Sequence, residues 1–97
     1  MTQITNIELS TLVQQSEEVI SADLGGQAVM MHLERYEYFG LDDIATPIWE
    51  MIEEPISVTA LCDQLLPNYD IDRATGEQDI LAHLNDMLRD DLVSIVA

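Results

Sequence analysis

The chain has 97 residues, room for one core of modest size. Hydrophobic residues make up 47% of it, enough to fold, yet 19 acids face only three arginines and no lysine, for a net charge of −16. Such a field repels phosphates and anionic headgroups, which argues against nucleic acid and membrane surfaces; it reads either as attraction for a basic peptide or protein partner or as a device for solubility alone.

From Leu12 to Leu41 the hydrophobic pattern is short, strand-like and punctuated. Leu12 to Gln15 reads as a short strand. Val19-Ile20-Ser21-Ala22-Asp23 then leads into Gly25-Gly26, and Gln27 to Leu33 follows with Ala28, Val29, Met30 and Met31. A Gly-Gly pair between two such runs signals a hairpin, because glycine reaches positive φ without steric cost. A second reversal at Glu34-Arg35-Tyr36 leads to Tyr38-Phe39-Gly40-Leu41, which completes a three-stranded antiparallel meander.

From Asp42 onward the period becomes helical. Asp42 or Asp43 is placed to N-cap a helix with Ile44, Ile48, Met51 and Ile52 on one face and Trp49 beside them. Pro47 is tolerated only in the first turn, and Pro55 closes the helix. Ser57 caps a second helix with Val58, Leu61, Cys62 and Leu65 inward, and Pro67-Asn68 breaks it. Asp70 or Asp72 starts a third helix that runs to about Asp90, and Leu92 to Val96 is an apolar tail. The fold class is α+β, winged-helix-like: an N-terminal three-stranded antiparallel β-meander followed by three α-helices. The whole of 1–97 reads as a single domain with residues 1–11 as a flexible N-terminal arm.

On the third helix, Ile80, Leu81, Leu84, Met87 and Leu88 form a core-facing stripe about 120° wide. Beside it Asp79, His83, Asp86 and Asp90 recur at i, i+4, i+7 and i+11. That stripe reads either as a solvated boundary or as an acidic rail beside a groove.

Enzyme chemistry finds little support. Asp79 and His83 have no third ligand at metal-site spacing, with His32 and Cys62 the other strong candidates. Adjacent acids such as Asp42-Asp43, Glu53-Glu54 and Asp90-Asp91 sit at helix ends, where capping explains them. No glycine-rich phosphate loop or nucleophile motif is present, so no catalytic residue, metal or cofactor is expected. Cys62 permits no internal disulfide and reads as a small buried hydrophobe. With no secretory signal and no apolar run near the ~20 residues that cross a bilayer, the expected compartment is the cytoplasm.

The stretch Tyr38-Phe39-Gly40-Leu41-Asp42-Asp43-Ile44-Ala45-Thr46-Pro47-Ile48-Trp49 resembles the "YyGLN…iW" signature of the PqqD-like family, the RiPP recognition elements. Glu17 to Leu33 is similar to the family's opening hairpin, Ser57 to Leu66 to its "tveeLv..L" helix, and Ile80 to Val93 to its closing "vlaFLaeLl..GLv". The departures are Asp42 for Asn, Tyr36 and Asp91 where glycine is usual, and His83 for phenylalanine. The resemblance implies a peptide-binding domain that captures the leader of a ribosomally made precursor and delivers it to a separate modifying enzyme, with no activity of its own.

In the family the leader adds as a strand in the groove between the third strand and the third helix. Carried onto this chain, that groove involves Glu37, Tyr38 and Phe39 on the strand, with Asp79, Ile80, His83, Leu84, Asp86 and Met87 on the helix. The resemblance points to the stand-alone leader-binding proteins of lasso-peptide pathways, with a leader protease or cyclase as partner enzyme. The alternatives are a peptide chaperone of pyrroloquinoline-quinone biosynthesis, or a general protein–protein module of the same fold.

Overall fold

The computed structural model describes residues 6–23, 25, 28–41 and 45–96. Strands and helices follow in the order β1 (Leu12–Gln15), β2 (Val19–Asp23), β3 (Ala28–His32), β4 (Glu37–Gly40), α1 (Ala45–Met51), β5 (Ile56–Ser57), α2 (Val58–Leu65), α3 (Arg73–Arg89) and β6 (Val93–Val96), with a 3₁₀ turn over Leu66–Asn68. The expected meander is the antiparallel sheet β2-β3-β4. Its register pairs Ile20 with Met31 and Met31 with Tyr38, and on the other face Ser21 with Met30 and Met30 with Phe39. Because side chains alternate across a strand, Met30 and His32 point to the core, where both are buried.

Local chemistry sets the turns and caps. Gly25 has φ 73°, the left-handed conformation the hairpin signal requires; Gly26 lies outside the described residues. So do Asp42 and Asp43, on one of which the cap of α1 is expected, and Ile44 of its expected apolar face. Within α1, Ile48 and Trp49 are buried, as is Ile52 just past its end, and the Thr46 hydroxyl donates to the Leu41 carbonyl (3.2 Å). Ser57 caps α2 by accepting from the Ala60 N–H (3.1 Å), and Asp72 caps α3 by accepting from the Thr75 N–H (3.2 Å). All four predicted inward residues of α2, Val58, Leu61, Cys62 and Leu65, are buried.

The two positions where the family pattern favours glycine are the two non-glycine residues with positive φ among those described: Tyr36 at 54° and Asp91 at 63°. Tyr36 closes the β3–β4 turn, donating its N–H to the His32 carbonyl (2.8 Å). Asp91 ends α3 in a Schellman arrangement, with Leu92 N–H on the Met87 carbonyl (2.8 Å) and Asp91 N–H on the Leu88 carbonyl (3.1 Å).

Two segments are more ordered than the sequence suggested. The apolar tail from Leu92 contains β6, which pairs antiparallel with β1 over its full length, Leu12 to Val96 through Gln15 to Val93. With β5 on the other side of β1, this makes a second sheet of order β5-β1-β6. Residues 6–11, read from the sequence as part of an arm, are docked. Ile7 is 2% exposed, its N–H donates to Asn85 Oδ1 (2.8 Å), and Asn85 Nδ2 donates to its carbonyl (3.3 Å). The Leu9 carbonyl accepts from both the N–H and the hydroxyl of Thr59 (2.9 Å each). The core gathers these elements around Val13, Met30, Ile48, Leu61, Leu84 and Leu92. Among the described residues no helix is long and apolar enough to cross a membrane.

Candidate functional site

β4 is an edge strand. It pairs with β3 on one side, and among the described residues no strand follows it on the other. An edge presents alternate N–H and C=O groups ready to pair with another chain. α3 lies next to this edge, and the space between them is a cavity of about 250 Å³. Phe39, Gly40 and Leu41 form its strand wall; His83, Asp86, Met87 and Asp90 form its helix wall; Ala45 and Leu92 complete the lining.

A second cavity, of about 290 Å³, opens at the other end of α3. Leu65, Leu66, Tyr69 and Ile71 line it from α2 and the chain that follows, and Gly76 and Ile80 from α3, with Asp70 and Asp79 also contributing. Gly76 has a local reason: a Cβ there would overlap the Leu66 side chain. Tyr69 and Ile71 remain 40% and 39% exposed, large apolar side chains left at the mouth.

At 100° per residue, Gly76, Asp79, Ile80, His83, Asp86, Met87 and Asp90 fall within an arc of about 120°. Both cavities therefore open on one flank of α3, and the acidic stripe is the rim of that flank. The opposite flank, with Leu81 and Asn85, faces residues 6–10. That flank borders an opening too, of about 610 Å³ between α3 and residues 6–10; what sets the acidic flank apart is the β4 edge beside it.

Of the residues singled out from the sequence, the structure brings Phe39, His83, Asp86 and Met87 together in the β4–α3 cavity. Asp79 and Ile80 line the second one. Leu84 is fully buried in the core and lines neither. Glu37 and Tyr38 line neither as side chains, although their backbone lies on the open edge. Tyr38 is 74% exposed on the sheet face turned away from the core, and Glu37 pairs with Arg35 (3.1 Å). Sequence reasoning missed Leu65, Leu66, Tyr69, Ile71 and Gly76. The signal for them was an aromatic and an isoleucine left in an otherwise polar stretch after Pro67-Asn68.

The electrostatics of the flank are acidic with few cations. Asp86 pairs with Arg89 at the surface (3.1 Å). His83 donates from Nδ1 to the Asp79 carbonyl (2.8 Å), which orients its ring along the helix. Arg35 joins the hairpin tip to the end of α3 by donating to the Asp90 carbonyl (3.2 Å). Beneath it, His32 Nδ1 accepts from the Arg35 N–H (3.3 Å), and its buried Nε2 lies 4.0 Å from the Asp91 carboxylate.

Away from the groove, Cys62 is buried, and burial pushes its thiol above the ordinary range; this disfavours the nucleophilic thiolate. Exposed Arg73 ties α3 to α2 through Glu77 (2.8 Å) and Asp63 (2.9 Å). Among the described residues no three His, Cys, Asp or Glu side chains gather to hold a metal ion. The arrangement is suited to holding an extended chain: an edge to pair with, apolar cavities for side chains, and an acidic rim.

Comparison with known proteins identifies a family and a shared fold. The family model described as coenzyme PQQ synthesis protein D (PqqD) matches residues 27–93. No curated protein matches. Among solved structures, TbiB1 in complex with the TbiA(beta) leader peptide is similar with a TM-score of 0.80 and 31% identity, over 87% of this chain and 98% of that one. Lasso peptide synthetase B1 complexed with the leader peptide has a TM-score of 0.75 and 21% identity, over 84% of this chain and 96% of that one, a likeness of fold.

Proposed function

This chain belongs to the PqqD family, and on that premise we propose that it binds the leader segment of a ribosomally synthesised precursor peptide and presents it to a separate modifying enzyme. The observation that carries the reading is the open β4 edge with an apolar cavity between it and α3, rimmed by Asp86 and Asp90. The two similar structures, both of proteins with leader peptide bound, favour a lasso-peptide leader and its protease or cyclase. The description of the matched family model favours a second reading, delivery of a pyrroloquinoline-quinone precursor. Both share the capture step, and both place the protein in the cytoplasm, where precursors are made.

The energetics say what the leader must contain. Each added ladder bond nets ~0.5–1.5 kcal/mol, while ordering each peptide residue costs ~1–2 kcal/mol. The backbone ladder therefore roughly breaks even. Affinity comes from apolar anchors, each contributing ~1.5–3 kcal/mol when buried. Seven residues of helix separate Ile80 from Met87, about 10 Å at ~1.5 Å per residue. A chain extended along α3 at ~3.3 Å per residue reaches both cavities with anchors about three residues apart. The acidic rim selects lysine or arginine beside those anchors. The protein itself turns nothing over; its effect is a rate increase in the partner enzyme.

The test is titration of a synthetic lasso-peptide leader carrying apolar anchors beside lysine or arginine, at low and high salt. Binding that weakens with salt, and that proline replacements abolish at alternate positions, is the expected result. A proline scan with no sensitive position excludes strand addition.

A further inference from the structure

The β2-β3-β4 sheet has a second face, and its composition breaks the usual rule. An antiparallel sheet with one face on the core ordinarily shows polar residues on the other. Here the register places Ile20, Met31 and Tyr38 side by side in one outward row, and Ala22, Val29 and Gly40 in the next. No charged or hydrogen-bonding group other than the Tyr38 hydroxyl occurs in either row. Ile20 is 53% exposed and Tyr38 74%, and Leu33, next along β3 on the same face, is 41% exposed. A single exposed apolar residue means little, but a contiguous set is the signature of an interaction surface.

We propose that this outer face docks the separate enzyme that acts on the captured peptide, through an apolar patch on that enzyme ringed by lysine and arginine. The inference rests on the leader-binding reading above. Two observations select this occupant. The end of the sheet where β2 begins and β3 turns into β4 carries the exposed acids Glu17, Glu18, Glu34 and Glu37, answered by Arg35 alone. A second copy of a −16 chain would bring those acids against their own kind, whereas a basic rim answers them. The face is also continuous with the leader edge. A strand added to β4 extends the same sheet by one ~4.8 Å step, so its outward side chains sit beside Tyr38. An enzyme seated here reads carrier and bound leader as one surface, and binds the loaded carrier more tightly than the empty one.

The experiment uses the full chain with Ile20→Thr and Met31→Thr, both to residues that favour strands and both outside the leader cavities. The probe is a purified leader peptidase of a lasso-peptide pathway, titrated onto the immobilised protein with and without leader. Leader affinity should stay within about twofold, while enzyme affinity falls on the order of tenfold or more. Should the double variant fold poorly, Glu17→Lys with Glu34→Lys probes the rim on an intact face, and several-fold slower enzyme association is expected. Unchanged enzyme affinity in both variants overturns the proposal. A wild-type dimer that the Ile20→Thr, Met31→Thr variant abolishes also overturns it, by assigning the face to a second copy. If the wild type binds the enzyme through this face but no leader, the face stands and the leader reading fails.

Discussion

The two three-stranded sheets put their strands to different uses. The β5-β1-β6 sheet joins strands from the start, middle and end of the described chain. Its central Val13 is fully buried, and Leu92 just before β6 and Val93 at its start are buried as well. The β2-β3-β4 sheet joins consecutive strands through two turns and leaves β2 and β4 as edges and one apolar face open. Closing a long loop carries an entropic cost that burial offsets, and this clasp buries Val13, Leu92 and Val93 while Leu12 stays 42% exposed. Hairpins close at low cost, and the meander can leave apolar surface for partners.

The sharpest way to break this comparison is to remove the clasp. Deleting residues 92–97 takes away β6 with Leu92 and Val93, a loss on the scale of a domain's whole ~5–15 kcal/mol. Cooperative thermal melting followed by circular dichroism should vanish; a normal melt would mean that the meander and helices stand without the second sheet. Next in size is Leu84→Ala, at the centre of the core stripe of α3, expected to cost ~2–5 kcal/mol in chemical denaturation. Its folded fraction should still bind leader normally, since Leu84 touches neither cavity.

Phe39→Ala tests the open side. Phe39 lines the β4–α3 cavity and is only partly buried, so leader binding should weaken by ~1.5–3 kcal/mol, read by calorimetry, with a smaller change in melting temperature.

Smaller effects follow at the backbone. Tyr36→Gly and Asp91→Gly each relieve a left-handed conformation that disfavours side chains by ~1–2 kcal/mol, less the entropy glycine adds to the unfolded chain. Each should raise stability by up to ~1 kcal/mol. Smallest in stability is Asp79→Asn with Asp86→Asn on exposed positions, within about ±0.5 kcal/mol. Its signature is a weaker and flatter salt dependence of leader binding.

The same contrast explains what could be read from the sequence. The meander was legible because its signals are local: Gly25, the reversal near Tyr36, and apolar runs between them. So were α2 and α3, whose caps Ser57 and Asp72 and inward stripes are local too. β6 was not. Leu92 to Val96 carries no turn or partner signal, and its pairing with β1 is set only when the helices bring the chain's ends together. Asn85, in the middle of α3, gives no hint in sequence that it will fasten both backbone groups of Ile7.

The groove divides in the same way. Helical spacing put Asp79, His83 and Asp86 on one flank, but spacing cannot separate Met87 in the cavity wall from Leu84 in the core. Only 60° of helix rotation distinguishes them. The second cavity depends on the close packing of Leu66 on Gly76, a tertiary contact that no periodicity encodes.

The central claim is that the leader adds to the β4 edge, and the molecule offers its own control, because β6 is an edge strand of the other sheet. The direct measurement is amide hydrogen exchange by NMR across Glu37–Gly40 and Val93–Val96, with and without saturating leader. Strand addition predicts that the outward amides of β4 slow by orders of magnitude on binding while those of β6 are unchanged. Protection at β6, or a leader that binds tightly and protects neither edge, would contradict it.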